Sequence, residues 1–243
     1  MPDAVAMGGR SGAGLLARQV VGMAITSGRY VVQRVPLYRR DRQREHADLP
    51  DFDRELPGDP ATLQRASDGI GGLFHRHYWI HVTDEELDAE ALIDRILDDP
   101  NAMSPTEMAR FETGDGEPAR GLQVGDELVV RLPGPWNGPV RLVDRTATSF
   151  RFATLQGHME AGETEFRTGY DDREFLRFEI ESWARSGDRA FHLLYERFPV
   201  GREMQLHMWS QFCQKVAAAS GGIRMSNVAC STTQVDQPRD RRG

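Results

Sequence analysis

The sequence predicts an α+β fold, the helix-on-sheet kind in which a curved seven-stranded antiparallel sheet wraps around a long C-terminal helix, after an N-terminal helical arm. Two observations predict it. Seven short segments alternate apolar and polar residues with period two, which is typical of strands with one buried face and one wet face. One long segment near the C-terminus carries an apolar stripe at helical spacing. Because a seven-stranded antiparallel sheet curls, this helix is available to cover its concave face.

The first strand is expected at residues 74–82, where Phe74, Tyr78, Ile80 and Val82 share one side. Six further strands follow in quick succession, separated by glycine, Asn-Gly and Asp-Asp turn signals. They are expected at residues 107–112, 127–132, 139–144, 149–155, 163–170 and 175–184. Short connections of this kind favour strands that pair with their neighbours in sequence.

A helix is expected directly after the first strand. Thr83 resembles an N-cap residue, and Glu86 stands at the spacing of a capping-box partner. Asp99-Pro100-Asn101 should end this helix, and a short helical turn can follow at residues 102–105.

The last helix is expected from Asp188 to about Ser220, where Gly221-Gly222 ends it. Pro199 and Gly201 should kink or break it. Its second half carries a stripe of apolar side chains, namely Met204, Met208, Trp209, Phe212, Cys213 and Val216.

Charge divides the chain into a basic arm and an acidic body. Residues 10–44 hold eight arginines and one acid, a local charge of +7, although the chain as a whole carries −7. Residues 14–34 can form an amphipathic helix, and prolines punctuate residues 46–72. We therefore expect an arm and proline-rich linker over residues 1–69, a folded domain over 70–222 and a disordered polar tail over 223–243.

The basic run has three interpretations: a solvated charged surface, a membrane-surface contact or a nucleic-acid contact. Anionic lipid attracts each nearby arginine by about 1 kcal/mol. Binding of nucleic acid is not expected, because few aromatic residues interleave with the arginines and the acidic body would repel phosphates. Peripheral membrane contact would use Arg34, Arg39, Arg40, Arg42 and Arg44.

Other function classes are excluded by composition and by missing motifs. No run of about 18 apolar residues exists, which argues against a transmembrane helix. The chain has only two cysteines, Cys213 and Cys230, which excludes a disulfide framework. Because there is also no signal-peptide pattern, we expect a cytoplasmic location, with membrane contact at most peripheral. No motif for a phosphate-binding loop, a dinucleotide or a zinc site occurs, so no cofactor and no metal are expected.

Three groups of polar residues are candidates for a metal site or for acid–base catalysis. His75, His77 and His81 alternate on one side of the first strand, but that side is opposite the apolar one, so a metal site is not expected there. His158 lies near acids in a glycine-bracketed hairpin and can either serve as a general base or cap the turn. Glu179 and Glu181 can perturb each other's pKa or pair with arginines of neighbouring strands, namely Arg151 or Arg177.

Several motifs resemble a known superfamily. They are Phe74-His75-Arg76, the hairpin Pro133-Gly134-Pro135-Trp136-Asn137-Gly138-Pro139-Val140-Arg141, Ala153-Thr154-Leu155-Gln156-Gly157-His158, Gly162-Glu163-Thr164-Glu165-Phe166, and Glu179-Ile180-Glu181-Ser182-Trp183-Ala184-Arg185. With the element order, they resemble a branch of the START-like (SRPBCC) superfamily, whose helix-grip fold is also that of birch-pollen allergens. The branch is a domain of unknown function of high-GC bacteria and plants, so the resemblance implies a fold and no reaction.

The resemblance implies a small apolar or lipid-like ligand between the sheet and the last helix. The residues expected to contact it are Trp136, Phe152, Phe178, Tyr195, Met204, His207 and Met208. A minority of the superfamily are cyclases or hydrolases, so an enzyme that uses His158 or His207 with a nearby carboxylate is the alternative. A protein that docks to a membrane or partner through the basic arm is the third interpretation.

Overall fold

The computed structural model describes residues 37–43, 49–52, 54–132, 137–189 and 200–235. The strands are β1 (Leu37–Gln43), β2 (Ile70–Thr83), β3 (Arg110–Glu112), β4 (Glu127–Arg131), β5 (Asn137–Arg145), β6 (Ser149–Thr154), β7 (Glu160–Tyr170), β8 (Leu176–Ser186), β9 (Ile223–Arg224) and β10 (Val228–Val235). The helices are α1 (Ala89–Asp98), α2 (Pro100–Met103) and α3 (Val200–Ala219). Two short 3-10 turns lie at Pro60–Thr62 and Ala66–Asp68.

One curved sheet contains all the described strands, in the order β1-β10-β2-β8-β7-β6-β5-β4-β3, with β9 paired to β2. The seven predicted strands are β2 to β8, and each pairs antiparallel with its neighbours. α3 packs on the concave face against β2 and β8 and also contacts β10. The predicted α+β helix-grip fold is therefore confirmed, with three more strands than the sequence indicated.

The prediction of a capping box at Thr83 and Glu86 was wrong. Thr83 is the last residue of β2, because it pairs with Ile223 of β9 and so continues the sheet. α1 begins only after Asp88, whose Oδ1 accepts a hydrogen bond from the Ala91 N–H at 2.8 Å. The Glu86 N–H is used elsewhere, since it donates to the Ser220 carbonyl at the end of α3.

The prediction that residues 223–243 are disordered was wrong for residues 223–235. β10 pairs along seven residues with β2, from Ala229 opposite Trp79 to Val235 opposite Leu73. Cys230 of β10 belongs to the core between the sheet and α3. The alternation of apolar and polar residues is weak here because serine and threonine occupy much of the strand, although β-branched threonine is a good strand former.

Residues 54–68, expected to be a linker, form a fixed strap on the convex face of the sheet. Arg54 makes a two-pronged contact with Glu163, at 3.2 and 2.6 Å. Arg141 of β5 donates to the carbonyls of Pro57 at 3.0 Å and Asp59 at 3.3 Å. Leu63 packs in a small apolar cluster with side chains of β5 and β6. These contacts make the strap part of the folded unit.

The basic arm lies mostly outside the described residues, including its predicted helix at 14–34 and the side chains of Arg34 and Arg44. Residues 37–43, which contain Arg39, Arg40 and Arg42, form β1 and pair in parallel with β10 from Leu37 opposite Val228 to Gln43 opposite Gln234. This part of the arm is a strand of the sheet, although its sequence shows no alternation of apolar and polar residues.

Candidate functional site

A row of polar residues crosses the concave face of the sheet. Thr232 of β10, Arg76 of β2, Ser182 of β8 and Thr164 of β7 are register neighbours on four adjacent strands. The next row, two residues further along each strand, is apolar: Cys230, Tyr78, Ile180 and Phe166. Because side chains two residues apart point the same way, both rows face α3. The sheet thus presents one polar row within an apolar wall.

Arg76 is the charged centre of this row. Its side chain is almost fully buried, with a residue exposure of 4%, and its guanidinium lies 5.4 Å from the centre of the Phe74 ring. Arg76 Nη1 is 3.2 Å from Glu160 Oε1, and Gln205 of α3 donates from Nε2 to Glu160 Oε2 at 3.0 Å. Pairing offsets the large cost of burying each charge. The chain of contacts connects β2, β7 and the first turns of α3.

Ser182 lies beside Arg76 with a residue exposure of 2%, and its Oγ has no hydrogen-bond partner in the described part of the chain. The Trp209 Nε1 atom of α3 is likewise buried without a partner there. A buried polar group left unpaired costs about 1–3 kcal/mol. Both atoms can donate a hydrogen bond, and an indole N–H can only donate. The concave face therefore carries donors that a bound molecule could satisfy.

The concave face is tighter at one end than at the other. Phe74, Glu160 and Thr164 are only partly buried although they face the helix side. Ile180 and Phe178, further along β8, are fully buried. We call the set of Arg76, Glu160, Thr164, Ser182 and Gln205 the polar end of the concave face, and it is the candidate site.

The opposite end of the grip is filled by aromatic rings. Phe166 stacks on Phe150 at 4.6 Å and lies 5.6 Å from Phe212 of α3, measured between ring centres. The space lined by these rings, with Phe111, Phe152, Ile96, Leu97, Pro100 and Leu122, has no room for a water molecule. A ligand at this end would have to displace core side chains.

Two predicted contact residues, Phe152 and Phe178, belong to this closed core. Met208 lies in a separate small cluster with Met108 and Ala109. Trp136 and Tyr195 are outside the described residues, and for Met204 only the backbone of α3 is described. The three described side chains of this set, Phe152, Phe178 and Met208, do not lie at the polar end.

His158 sits in the β6–β7 hairpin, where it caps the turn. His158 Nδ1 lies 2.8 Å from the Glu160 amide nitrogen and 2.9 Å from the Glu160 carbonyl oxygen, so the Glu160 backbone engages Nδ1 in either tautomer of the neutral ring. Burial lowers the pKa of His158, although the nearby Glu160 opposes this effect. Its Nε2 lies 3.0 Å from where a Cβ at Gly138 would stand. With Nδ1 engaged by the Glu160 backbone, His158 is a capping residue of this hairpin.

His207 lies on a different side of α3. It is two residues from Gln205, which is a rotation of about 200° around a helix. Its Nε2 lies 2.8 Å from Gln211 Nε2, a geometry in which the amide donates to the ring. Burial lowers the pKa of His207, and the neighbouring Glu107 counteracts it. His158 and His207 therefore do not face one shared carboxylate.

The convex face carries a different polar cluster, a network of ion pairs. His75 Nε2 lies 2.7 Å from Glu181, and His77 Nε2 lies 2.5 Å from Glu179. Arg167 contacts both glutamates, at 3.1 and 3.2 Å. The histidine rings also lie in a row between two tryptophans: His75 stacks on Trp183 and on His77, and His77 is tilted against Trp79.

The predicted pairing of these glutamates with arginine holds, with Arg167 as the main partner in place of Arg151. Arg177 contacts Glu179 at 3.1 Å along the same strand. Burial raises the pKa of Glu181, but the hydrogen bond from His75 and the neighbouring His77 and Arg167 outweigh it and lower that pKa to about 2. In the described ranges, no three His, Cys, Asp or Glu side chains are grouped so that they could hold a metal ion.

Sequence reasoning missed Arg76 as a site residue. It named Arg76 only as part of a motif, although Arg76 stands at the same alternating positions of the first strand as Phe74 and Tyr78. A charged residue on the apolar side of a strand was the available signal. Ser182 gave no comparable signal, because serine is common on either face.

The comparisons with known proteins give a family and several structural likenesses. A family model described as "Domain of unknown function (DUF1990)" matches residues 70–215. Among the curated proteins, nothing matches. None of the helices in the described ranges has the length and hydropathy needed to cross a bilayer.

The similar solved structures include a conserved protein from Geobacillus kaustophilus, at 14% identity and TM-score 0.42 over 62% of this chain and 98% of that one. Norcoclaurine synthase from Thalictrum flavum matches at 9% identity and TM-score 0.42, over 69% and 96%. Major latex-like protein 151 from Panax ginseng matches at 12% identity and TM-score 0.33, over 57% and 99%. Likenesses this distant say nothing about activity.

Proposed function

The chain belongs to the DUF1990 family, from which no activity follows, and we propose from its geometry that it binds a small, mainly apolar molecule between the sheet and α3. The observation that carries the proposal is the polar end of the concave face. An arginine–glutamate pair and a buried serine with an unpaired hydroxyl are set into an apolar wall next to partly exposed residues. Ligand sites commonly combine an apolar lining with a few convergent polar groups.

The ligand would enter at the polar end. α3 begins there, and its Gln205 is bonded to Glu160 of β7. Trp209, one turn further along, packs edge-on against Phe166 at 5.5 Å between ring centres. The helix thus runs from the polar row toward the closed aromatic core. This core sets the depth that a ligand can reach.

The aromatic core also limits the size of the ligand. Because the space lined by Phe150, Phe166 and Phe212 has no room for water, the bound molecule would occupy the polar end and reach no further than the edge of the first apolar row. A compact molecule fits this arrangement better than a long acyl chain. The enzymatic alternative loses its best candidate bases, since His158 caps a turn and His207 lies on another side of α3.

Native mass spectrometry of the purified full-length chain, followed by extraction into organic solvent, tests the proposal. We expect a bound molecule of a few hundred daltons or, if the chain purifies empty, saturable binding of the apolar dye N-phenyl-1-naphthylamine. A mass equal to the bare chain together with no dye binding would contradict it. Arg131→Ala, on the exposed side of β4, is a control that should leave binding unchanged.

A further inference from the structure

The Ser182 hydroxyl is the feature of the polar end that says most about a ligand. It is one of the least exposed polar groups of the described chain, and it has no hydrogen-bond partner there. Its register neighbours are Arg76 on one side and Thr164 on the other, so it faces α3. A hydroxyl in this position can donate a hydrogen bond to an acceptor atom of a ligand.

Among the described side chains, the charges of the polar end are balanced. Arg76 and Glu160 lie 3.2 Å apart and have opposite sign, and Gln205 occupies the second oxygen of Glu160. An anionic ligand would compete with Glu160 for Arg76 and would leave an excess negative charge in a buried place. A cationic ligand would compete with Arg76 for Glu160. Both outcomes carry a desolvation cost that an uncharged molecule avoids.

The described side chains next to the polar row are mainly apolar. The Phe74 ring lies under the Arg76 guanidinium, and the next row along the strands contains Tyr78, Ile180 and Phe166. A ligand that reaches Ser182 therefore places the rest of its body against rings and aliphatic side chains. A polar group at one end and an apolar body at the other match this division.

We propose that the ligand is an uncharged, mainly apolar molecule with an acceptor oxygen, such as a ketone or an aldehyde, and that Ser182 donates a hydrogen bond to that oxygen. This inference rests on the proposed function, because it names the chemical class that the same site takes. A site that bonds a ligand oxygen discriminates strongly against the analogue that lacks it, since its own polar group is then left unpaired.

Three fluorescent probes of similar size test it with the full-length chain. One is 6-propionyl-2-(dimethylamino)naphthalene, an uncharged aromatic ketone. The second is N-phenyl-1-naphthylamine, which is uncharged and has no oxygen, and the third is the anion 8-anilino-1-naphthalenesulfonate. We expect the ketone to bind tightest, by about tenfold over either of the others. The emission of the bound ketone should also lie at longer wavelength than it does when its carbonyl has no hydrogen bond.

Ser182→Ala should weaken ketone binding about five- to tenfold and shift the bound emission to shorter wavelength, without changing the affinity for N-phenyl-1-naphthylamine. Ser231→Ala, on the convex side of β10 opposite His77, is the matched control and should change neither probe. Glu160→Gln should raise affinity for the sulfonate, because it removes the carboxylate that competes for Arg76. Because partly unfolded chains also bind this sulfonate, the gain supports the inference only if Glu160→Gln keeps the cooperative thermal transition of the unaltered chain.

The outcomes separate the two proposals. If none of the three probes binds, the proposed function and this inference both fail. If N-phenyl-1-naphthylamine binds as tightly as the ketone and Ser182→Ala alters neither, the chain binds apolar molecules and the inference about the acceptor oxygen is overturned. If the sulfonate binds tightest to the unaltered chain, the inference is overturned in favour of an anionic ligand.

Discussion

At the scale of single residues, position in the sheet decides what each polar side chain does. Arg76 and His77 are adjacent in sequence, yet one faces α3 and pairs with Glu160, while the other faces outward and pairs with Glu179. Strand alternation produces this separation. Within the described residues, the concave face therefore holds the Arg76–Glu160 ion pair, and the convex face carries an extended charged network.

Glu181→Gln should destabilise the chain in a way that depends on pH. Its carboxylate is held by His75 and Arg167, and its pKa in the folded chain is about 2, against 4.5 ordinarily. A lowered pKa contributes stability above the unfolded value, and that stability is lost as pH falls from about 4.5 toward 2. We expect a loss of about 1–3 kcal/mol at pH 7 that shrinks below pH 4.

Urea unfolding of the unaltered chain and the variant at pH 7 and at pH 3 measures the difference. Glu117→Gln, at an exposed position, is the control and should have little effect at either pH. Equal destabilisation by Glu181→Gln at both pH values would show that the carboxylate charge contributes nothing.

At the scale of elements, most strands of the sheet could be predicted from the sequence. The elements that could not be predicted are fixed by contacts between residues distant in sequence. The antiparallel strands from β2 to β8 alternate clearly, as Leu128, Phe152 and Ile180 illustrate. The N-terminus of α1 could not be located, because Thr83 is a good cap by type but is held in β2 by pairing with β9. A tertiary contact thus overrode a local signal.

The candidate site was harder to predict than the fold. Aromatic and methionine residues were expected to line a cavity, but Phe152 and Phe178 close the core through contacts with residues of α3 and β7. Strand register decides which aromatic rings contact each other. A sequence pattern predicts which face of the sheet a residue lies on, but it does not predict which residue it packs against. The polar end became visible only when β2, β7 and β8 were aligned.

Removal of β10 should unfold the chain. β10 fills the sheet between β1 and β2, and it buries Val228 and Cys230 against the core and Val235 on the other face. Burying an aliphatic side chain of this size contributes about 1.5–3 kcal/mol. The free energy lost with the strand is therefore comparable with the unfolding free energy of a typical domain, roughly 5–15 kcal/mol.

A chain that stops at residue 222 tests this, with a chain that stops at residue 235 as the matched control. We expect the shorter chain to lose its cooperative thermal transition, followed by circular dichroism, and the control to keep it. A cooperative transition within a few degrees of the control for the shorter chain would show that β10 is dispensable.

At the scale of the whole molecule, the strap and β10 extend the folded unit beyond the 70–215 segment that the family model matches. Leu63 and Ala66 of the strap each belong to an apolar cluster on the convex face. Arg141 is buried beneath the strap and also pairs with Glu127. The convex face is therefore covered in part by residues that the sequence assigned to a linker.

The two N-terminal segments should differ sharply in their importance to folding. A chain that begins at residue 46 lacks the basic arm and β1 but keeps the strap, and we expect it to unfold cooperatively with a modestly lower midpoint. A chain that begins at residue 70 also lacks the strap. Arg141 then loses the carbonyls of Pro57 and Asp59 and the hydroxyl of Thr62, its partners on the strap.

The hydrogen bonds that the Arg141 guanidinium loses contribute about 1.5–3 kcal/mol each, and exposure of the two apolar clusters adds to this. We therefore expect the chain from residue 70 to be insoluble or to lack a cooperative transition in calorimetry, while the chain from residue 46 stays soluble. Arg141→Met in the full-length chain separates the two causes, because it removes the buried charge and keeps the strap. If the chain from residue 70 unfolds with the same midpoint and enthalpy as the chain from residue 46, the strap contributes nothing to the fold and the domain begins at β2.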